Sequence, residues 1–100
     1  MKVYISGPMT GLPDYNRAAF FRAAEALKKK GCYVPVHTAW MVDQLSRTDY
    51  MRMALQMMLT CDAIYLLRGW NDSAGAQTEY AIASLCGLQL MCEEDEEDDC

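Results

Sequence analysis

Hydrophobic positions along the chain alternate between short runs and longer stretches of helical spacing. KVYIS (2–6) is rich in β-branched and aromatic residues and predicts a strand. GPMTGLPDYN (7–16), with two glycines and two prolines, predicts a long loop directly after it. AAFFRAAEALKKK then has helical spacing from Arg17 to Lys30, with a basic last turn and Gly31 as a stop. CYVPV (32–36) predicts a second strand, and Pro35, which lacks a ladder donor, places it at a sheet edge. After a loop from His37 to about Arg47, Thr48 and Asp49 are candidate caps for a helix reading YMRMALQMML and ending near Cys61.

That helix is apolar over most of its circumference. Arg52, Gln56 and Thr60 form one narrow polar strip, and Met51, Met53, Leu55, Met57, Met58 and Leu59 cover most of the rest. An apolar arc wider than ~100° exceeds what one sheet buries, which predicts a homodimer surface. AIYLL (63–67) is a continuous apolar run, as for a strand covered on both faces. A glycine-rich loop, RGWNDSAG (68–75), leads into a helix from about Ala74 to Cys86, with Gly87 as its stop and LQLMC (88–92) as a last strand. The order is βαβαβαβ, which implies a parallel sheet with right-handed crossovers. With the second strand at the edge, the economical strand order is 2-1-3-4, a small flavodoxin- or Rossmann-like α/β fold.

In that order the chain reverses direction between the first and third strands, where ligands of open α/β sheets bind at the strands' carboxyl ends. The loops lining that crevice are GPMTGLPDYN and RGWNDSAG, the two glycine-rich loops of the sequence. Glu79 lies three and four residues from Gly75, Ala76, Ile82 and Ala83, in small apolar company. Helical side chains lean toward the N-terminus, which aims this carboxylate at the crevice. Unpaired there it would cost several kcal/mol or be protonated, so it has either a structural partner or a chemical task. Alternation puts Tyr4 and Ser6 on one sheet face and Val3 and Ile5 on the other, so Tyr4 is either a hydroxyl near Glu79 or a core aromatic. Ser73 is a candidate helix cap or, with the backbone N–H groups of Ala74 and Gly75, an anion holder. Trp70, beside Gly69, is placed to stack on a base or to cover the sheet end.

Composition narrows the function classes. With 100 residues and 52% hydrophobic, the chain supports one core, and residues 1–92 are expected to form one domain. Seven of the 14 acidic residues fall in EEDEEDD (93–99), leaving nine basic and seven acidic residues over 1–92, a net +2. Residues 93–100 are expected to be an acidic, disordered tail. No apolar run approaches the ~20 residues of a membrane span, and no signal-peptide pattern opens the chain, so a soluble cytoplasmic protein is expected. Five cysteines without a CxxC pair, and one histidine, predict reduced, mostly buried thiols and no metal. GPMTG lacks the Lys-Ser/Thr ending of a P-loop and there is no GxGxxG, so no triphosphate or dinucleotide cofactor is expected. A Ser or Cys nucleophile would need His37 as base, and it falls beyond the edge strand. KKK (28–30) is a helix-end cluster without the aromatic neighbours of a nucleic-acid footprint.

YISGPMTGLPDYN (4–16) and CDAIYLLRGWNDSAGAQTEYAIASLCGL (61–88) together resemble the phage and bacterial DUF4406 family, itself similar to nucleoside 2-deoxyribosyltransferases and deoxynucleoside 5′-monophosphate N-glycosidases. The resemblance covers nearly all of the chain except the acidic tail. It implies a Rossmann-like fold in dimers or larger assemblies and chemistry at a nucleoside C1′. Glu79 matches the nucleophile of those enzymes and Tyr4 their strand-one tyrosine. Ser73 and Gly75 match the loop that holds a 5′-phosphate, and Gly7 starts the first ligand loop. The implied substrate contacts are therefore Ser6, Gly7, Pro8 and Met9 on one loop and Gly69, Trp70, Ser73 and Gly75 on the other. The ligand is a small nucleotide or nucleoside. One departure stands out: where the related enzymes carry an aspartate in the helix before strand three, this chain has Ala54. A nucleotide-binding or sequestering module of the same fold, and an assembly partner acting through the methionine-rich helix, are the competing readings.

Overall fold

A computed structural model describes residues 1–41 and 45–93. Four strands, β1 (Lys2–Ser6), β2 (Val34–Val36), β3 (Ala63–Leu66) and β4 (Gln89–Cys92), alternate with three helices, α1 (Arg17–Lys29), α2 (Arg47–Met58) and α3 (Ala74–Leu85). The sheet is parallel throughout, in the order β2-β1-β3-β4. Pro35 sits opposite Val3 on the edge strand, where its missing donor costs no ladder bond. β1 and β3 occupy the centre, with Tyr4 opposite Ile64 and Ser6 opposite Leu66.

Alternation along β1 divides the core in two. Val3 and Ile5 join Phe20, Ala23 and Leu27 of α1 on one face, while Tyr4 joins Ala54 and Met58 of α2, Ile64 and Ala83 on the other. One helix therefore covers the first face and two cover the second. Each helix begins beyond the carboxyl end of the preceding strand, so the first turns of α2 and α3 converge at one edge of the sheet.

The helix boundaries follow local chemistry. Gly31, at φ +84°, ends α1 in the left-handed region that glycine enters without steric cost. α2 starts earlier than Thr48 or Asp49 would place it: Ser46 is the cap, its hydroxyl accepting from the Asp49 backbone N–H at 3.1 Å. The helix also ends earlier, at Met58, and Leu59 to Asp62 turn into β3. Ala54 and Met58 face the core, and Met51, Leu55 and Met57 are half-buried. Met53 and Leu59 stay 45% and 48% exposed, so the apolar arc does extend past what the sheet covers.

Gly7 is required by packing. A Cβ there would lie 2.7 Å from Leu67 Cβ, so only glycine lets the first loop cross the exit of β3. Among the described residues no helix is long and apolar enough to cross a membrane, and no group of three or more His, Cys, Asp or Glu is placed to hold a metal. Cys32, Cys61 and Cys86 are free thiols; Cys61 is buried, whereas Cys32 and Cys86 are exposed instead of buried as expected. Of the expected acidic tail only Glu93 is described: its N–H donates to Leu66 O and its carboxylate accepts from Arg68 N at 2.8 Å. Residues 94–100 lie outside the described residues.

Candidate functional site

Glu79 sits in the second turn of α3 and is 6% exposed. Both of its oxygens are held from β1. The Tyr4 hydroxyl donates to Oε2 at 2.9 Å, and the Ser6 hydroxyl donates to Oε1 at 2.6 Å. Residues two apart on one strand present their side chains to the same face, and that face lies under α3, which is why a strand and a helix far apart in sequence meet here. Burial pushes the Glu79 carboxyl above its ordinary value, and the two hydroxyl donors pull it back down. Tyr4 is pushed well above the usual phenol range, first by burial and then by the Glu79 charge.

The carboxylate forms part of the wall of a cavity of about 290 Å³ at the carboxyl edge of the sheet. Of the residues expected from the sequence, Tyr4, Ser6, Gly7, Met9, Ser73, Gly75 and Glu79 line it. Pro8 and Gly69 face a different, shallower cleft with Arg22 and Arg68, and Trp70 packs on Tyr80 with ring centroids 5.0 Å apart. These three lie outside the Glu79 cavity. Ser73 caps α3, its hydroxyl accepting from Ala76 N at 3.2 Å.

Four further lining residues were not singled out from the sequence. Thr38, 1% exposed, follows the edge strand and hydrogen-bonds Tyr50 of α2. The Tyr50 hydroxyl also approaches Met9 Sδ at 3.2 Å, and burial pushes its pKa up to about 12. Arg47 brings a cation to the rim from the first turn of α2. Tyr15 reaches the cavity from a turn in which Asp14, Tyr15 and Asn16 all have positive φ (50°, 55° and 62°). Left-handed backbone costs non-glycine residues about 1–2 kcal/mol each. Here the turn is tied by Asn16 Nδ2 donating to Pro8 O at 3.0 Å, and by Arg17 Nε donating to Ala39 O at 2.9 Å. One available signal was general: in this topology the first turn of every helix faces the crevice, which marks Arg47 and Tyr50 without any motif.

Ala54, Asp49, Asp62 and His37 do not line this cavity. Ala54 is fully buried in the core beside Tyr4 and Met58 and does not line the cavity. Asp49 is exposed in the first turn of α2. Asp62 accepts from Lys2 N at 2.9 Å, at the amino end of the central strands. His37 packs edge-on against Phe21 with centroids 5.2 Å apart and is also outside the cavity lining.

A parallel 2-1-3-4 sheet with a buried carboxylate between its central strand and the last helix defines a Rossmann-like α/β protein with its cavity at the strand-order reversal. Residues 1–92 match the family described as Domain of unknown function (DUF4406), and the chain belongs to that family. Among solved structures the chain is similar to a 2-desoxiribosyltransferase from Leishmania mexicana, with a TM-score of 0.71 and 24% identity over 91% of this chain and 62% of that one. The chain thus spans less than two thirds of that protein, and the likeness is one of fold. No match is found among curated proteins.

Proposed function

We propose that the protein cleaves the N-glycosidic bond of a deoxynucleoside 5′-monophosphate, with Glu79 as nucleophile and water as the usual acceptor. The observation that carries this reading is the buried carboxylate held by two hydroxyl donors in the wall of a cavity of nucleotide scale. The likeness to a 2-desoxiribosyltransferase supports chemistry at a deoxyribosyl C1′. The carboxylate attacks C1′ through an oxocarbenium-like transition state, and water resolves the glycosyl ester. Tyr4 and Ser6 fix the carboxylate's orientation, which lowers the cost of reaching attack geometry. Water exclusion by Phe20, Met9 and Met51 strengthens the electrostatic contacts. The phosphate is placed at the first turn of α3, where the Ser73 cap, the free N–H groups and the Arg47 cation favour an anion.

A second reading is favoured by one observation. Among the described residues the cavity lining contains no carboxylic acid besides Glu79, and from these residues the acid help given to a leaving base, typically ~10² to 10⁴ in rate, would come from another group type. If no group supplies it, the protein is a nucleotide-binding module. Incubation with a panel of deoxynucleotides distinguishes the two: free base released by the wild type and lost in Glu79→Gln supports the enzyme, and saturable binding without release supports the module. The exposed Met53 on α2 and Leu59 just past its end support a homodimer in either case. The same domain, residues 1–92, is proposed as the functional unit, acting in the cytoplasm.

A further inference from the structure

Resting on the N-glycosidase reading, a proton must reach the base as its bond to C1′ breaks. Tyr4 and Ser6 commit their hydroxyls to Glu79. Thr10 and Tyr15 stand at exposed positions on the rim. Ser73 is engaged at the α3 cap, and a guanidinium such as Arg47 stays protonated and is no acid at working pH. Tyr50 differs from all of these. Its hydroxyl lies at the cavity wall between Thr38 Oγ1 and Met9 Sδ, and a thioether is a weak acceptor. A nitrogen of a bound base would be a better partner for that proton than the sulfur is.

We infer that Tyr50, with Thr38 behind it, is the acid–base group of this cavity. As a Glu79 oxygen bonds C1′, the C1′–N bond breaks, its electron pair stays on the base nitrogen, and that nitrogen takes the Tyr50 proton. The Tyr50 oxyanion is held by the Thr38 hydroxyl. In the second half a water bonds C1′ and gives a proton to Tyr50, and the ester electron pair returns to Glu79. One water is consumed and free base and 2-deoxyribose 5-phosphate are formed, with no oxidant or reductant. The other partners fit. Thr38 acts on Tyr4 as well as on Tyr50, and the Glu79 charge is felt at both phenols, so nucleophile and acid belong to one coupled set. Burial keeps Tyr50 protonated across the neutral range, which holds the donor form ready.

The test compares wild type and Tyr50→Phe on two substrates: a natural deoxynucleoside 5′-monophosphate, and 4-nitrophenyl 2-deoxyriboside 5-phosphate, whose leaving group departs without a proton. The expected loss in kcat/KM is ~10² or more on the nucleotide, within the usual range for general acid help, and under about threefold on the nitrophenyl substrate. Equal losses on both, or none on either, overturn the assignment while leaving the Glu79 reading intact. If the wild type cleaves neither substrate, both fall. Because Phe at position 50 also removes the bond to Thr38, a second variant carries 3,5-difluorotyrosine at position 50. Lowering that phenol's pKa moves the basic limb of the pH–rate profile on the nucleotide to lower pH, and an unmoved profile contradicts the assignment.

Discussion

At Glu79 burial and hydrogen bonding oppose each other, and burial wins: the carboxyl titrates above its ordinary 4.5 in the folded protein. The folded state therefore keeps a proton that the unfolded chain has lost between pH 4.5 and the raised value. Stability contributed by this group is complete below that window and falls as pH rises through it. Glu79→Gln keeps the shape, can still accept from one hydroxyl, and does not ionise. The thermal midpoint of the wild type, measured against that of Glu79→Gln, is expected to drop as pH rises above 4.5 through the raised value and then to level off. A difference independent of pH would mean that the carboxylate is not desolvated. Gly7 gives a second prediction at this scale. Gly7→Ala forces its Cβ to within 2.7 Å of Leu67 Cβ, a backbone-anchored atom, and is expected to destabilise by about 1–3 kcal/mol in urea unfolding. An unchanged urea midpoint would show that the loop can move away.

At the scale of elements, α2 and α3 both begin on serine caps whose hydroxyls accept a backbone N–H three residues on. Ser46→Ala and Ser73→Ala are each expected to lose about 1 kcal/mol in denaturant unfolding. Only Ser73→Ala is expected to weaken nucleotide binding as well, since Ser73 itself lines the Glu79 cavity and Ser46 does not. Calorimetry showing equal affinity in both variants would remove the phosphate from the first turn of α3. The elements themselves were largely readable in the sequence. Pro35 fixed the edge, apolar continuity marked AIYLL as central, and the 2-1-3-4 order followed from both. The α2 cap was not, because Ser46, Thr48 and Asp49 are all capping residue types and only the folded backbone selects among them. Glu79 and its two strand-borne donors could be anticipated from period two on the strand and the lean of helical side chains. Tyr50 was legible only through the general rule that the first turns of the helices face the crevice, and Thr38 was not, because it follows the edge strand outside any periodic pattern. Pro8, Gly69 and Trp70 were grouped with the cavity by sequence proximity, yet one turn of loop geometry separates them from it.

For the whole molecule, apolar side chains stay outward on both sides of the sheet: Phe21 on α1, Met53 on α2, and Leu59 just past the end of α2, the helix that also supplies Tyr50. Sedimentation equilibrium is expected to report a dimer in the wild type and a shift toward monomer in Met53→Glu with Leu59→Glu. A wild-type monomer at all usable concentrations would sink the dimer proposal. The match over residues 1–92 covers the whole described fold apart from Glu93. Within it, Ala54 is sealed in the core and does not line the cavity. Among the described residues, the groups that surround the Glu79 carboxylate are hydroxyls, those of Tyr4 and Ser6.

That carboxylate's role has a stereochemical signature. Direct attack by Glu79 followed by a second displacement retains configuration at C1′, whereas a water activated for a single displacement inverts it. Cleavage of a β-deoxynucleotide in the presence of methanol, with the anomer of the methyl 2-deoxyriboside 5-phosphate read by proton NMR, tests this directly. The β anomer is the predicted product, and the α anomer would contradict a covalent role for Glu79.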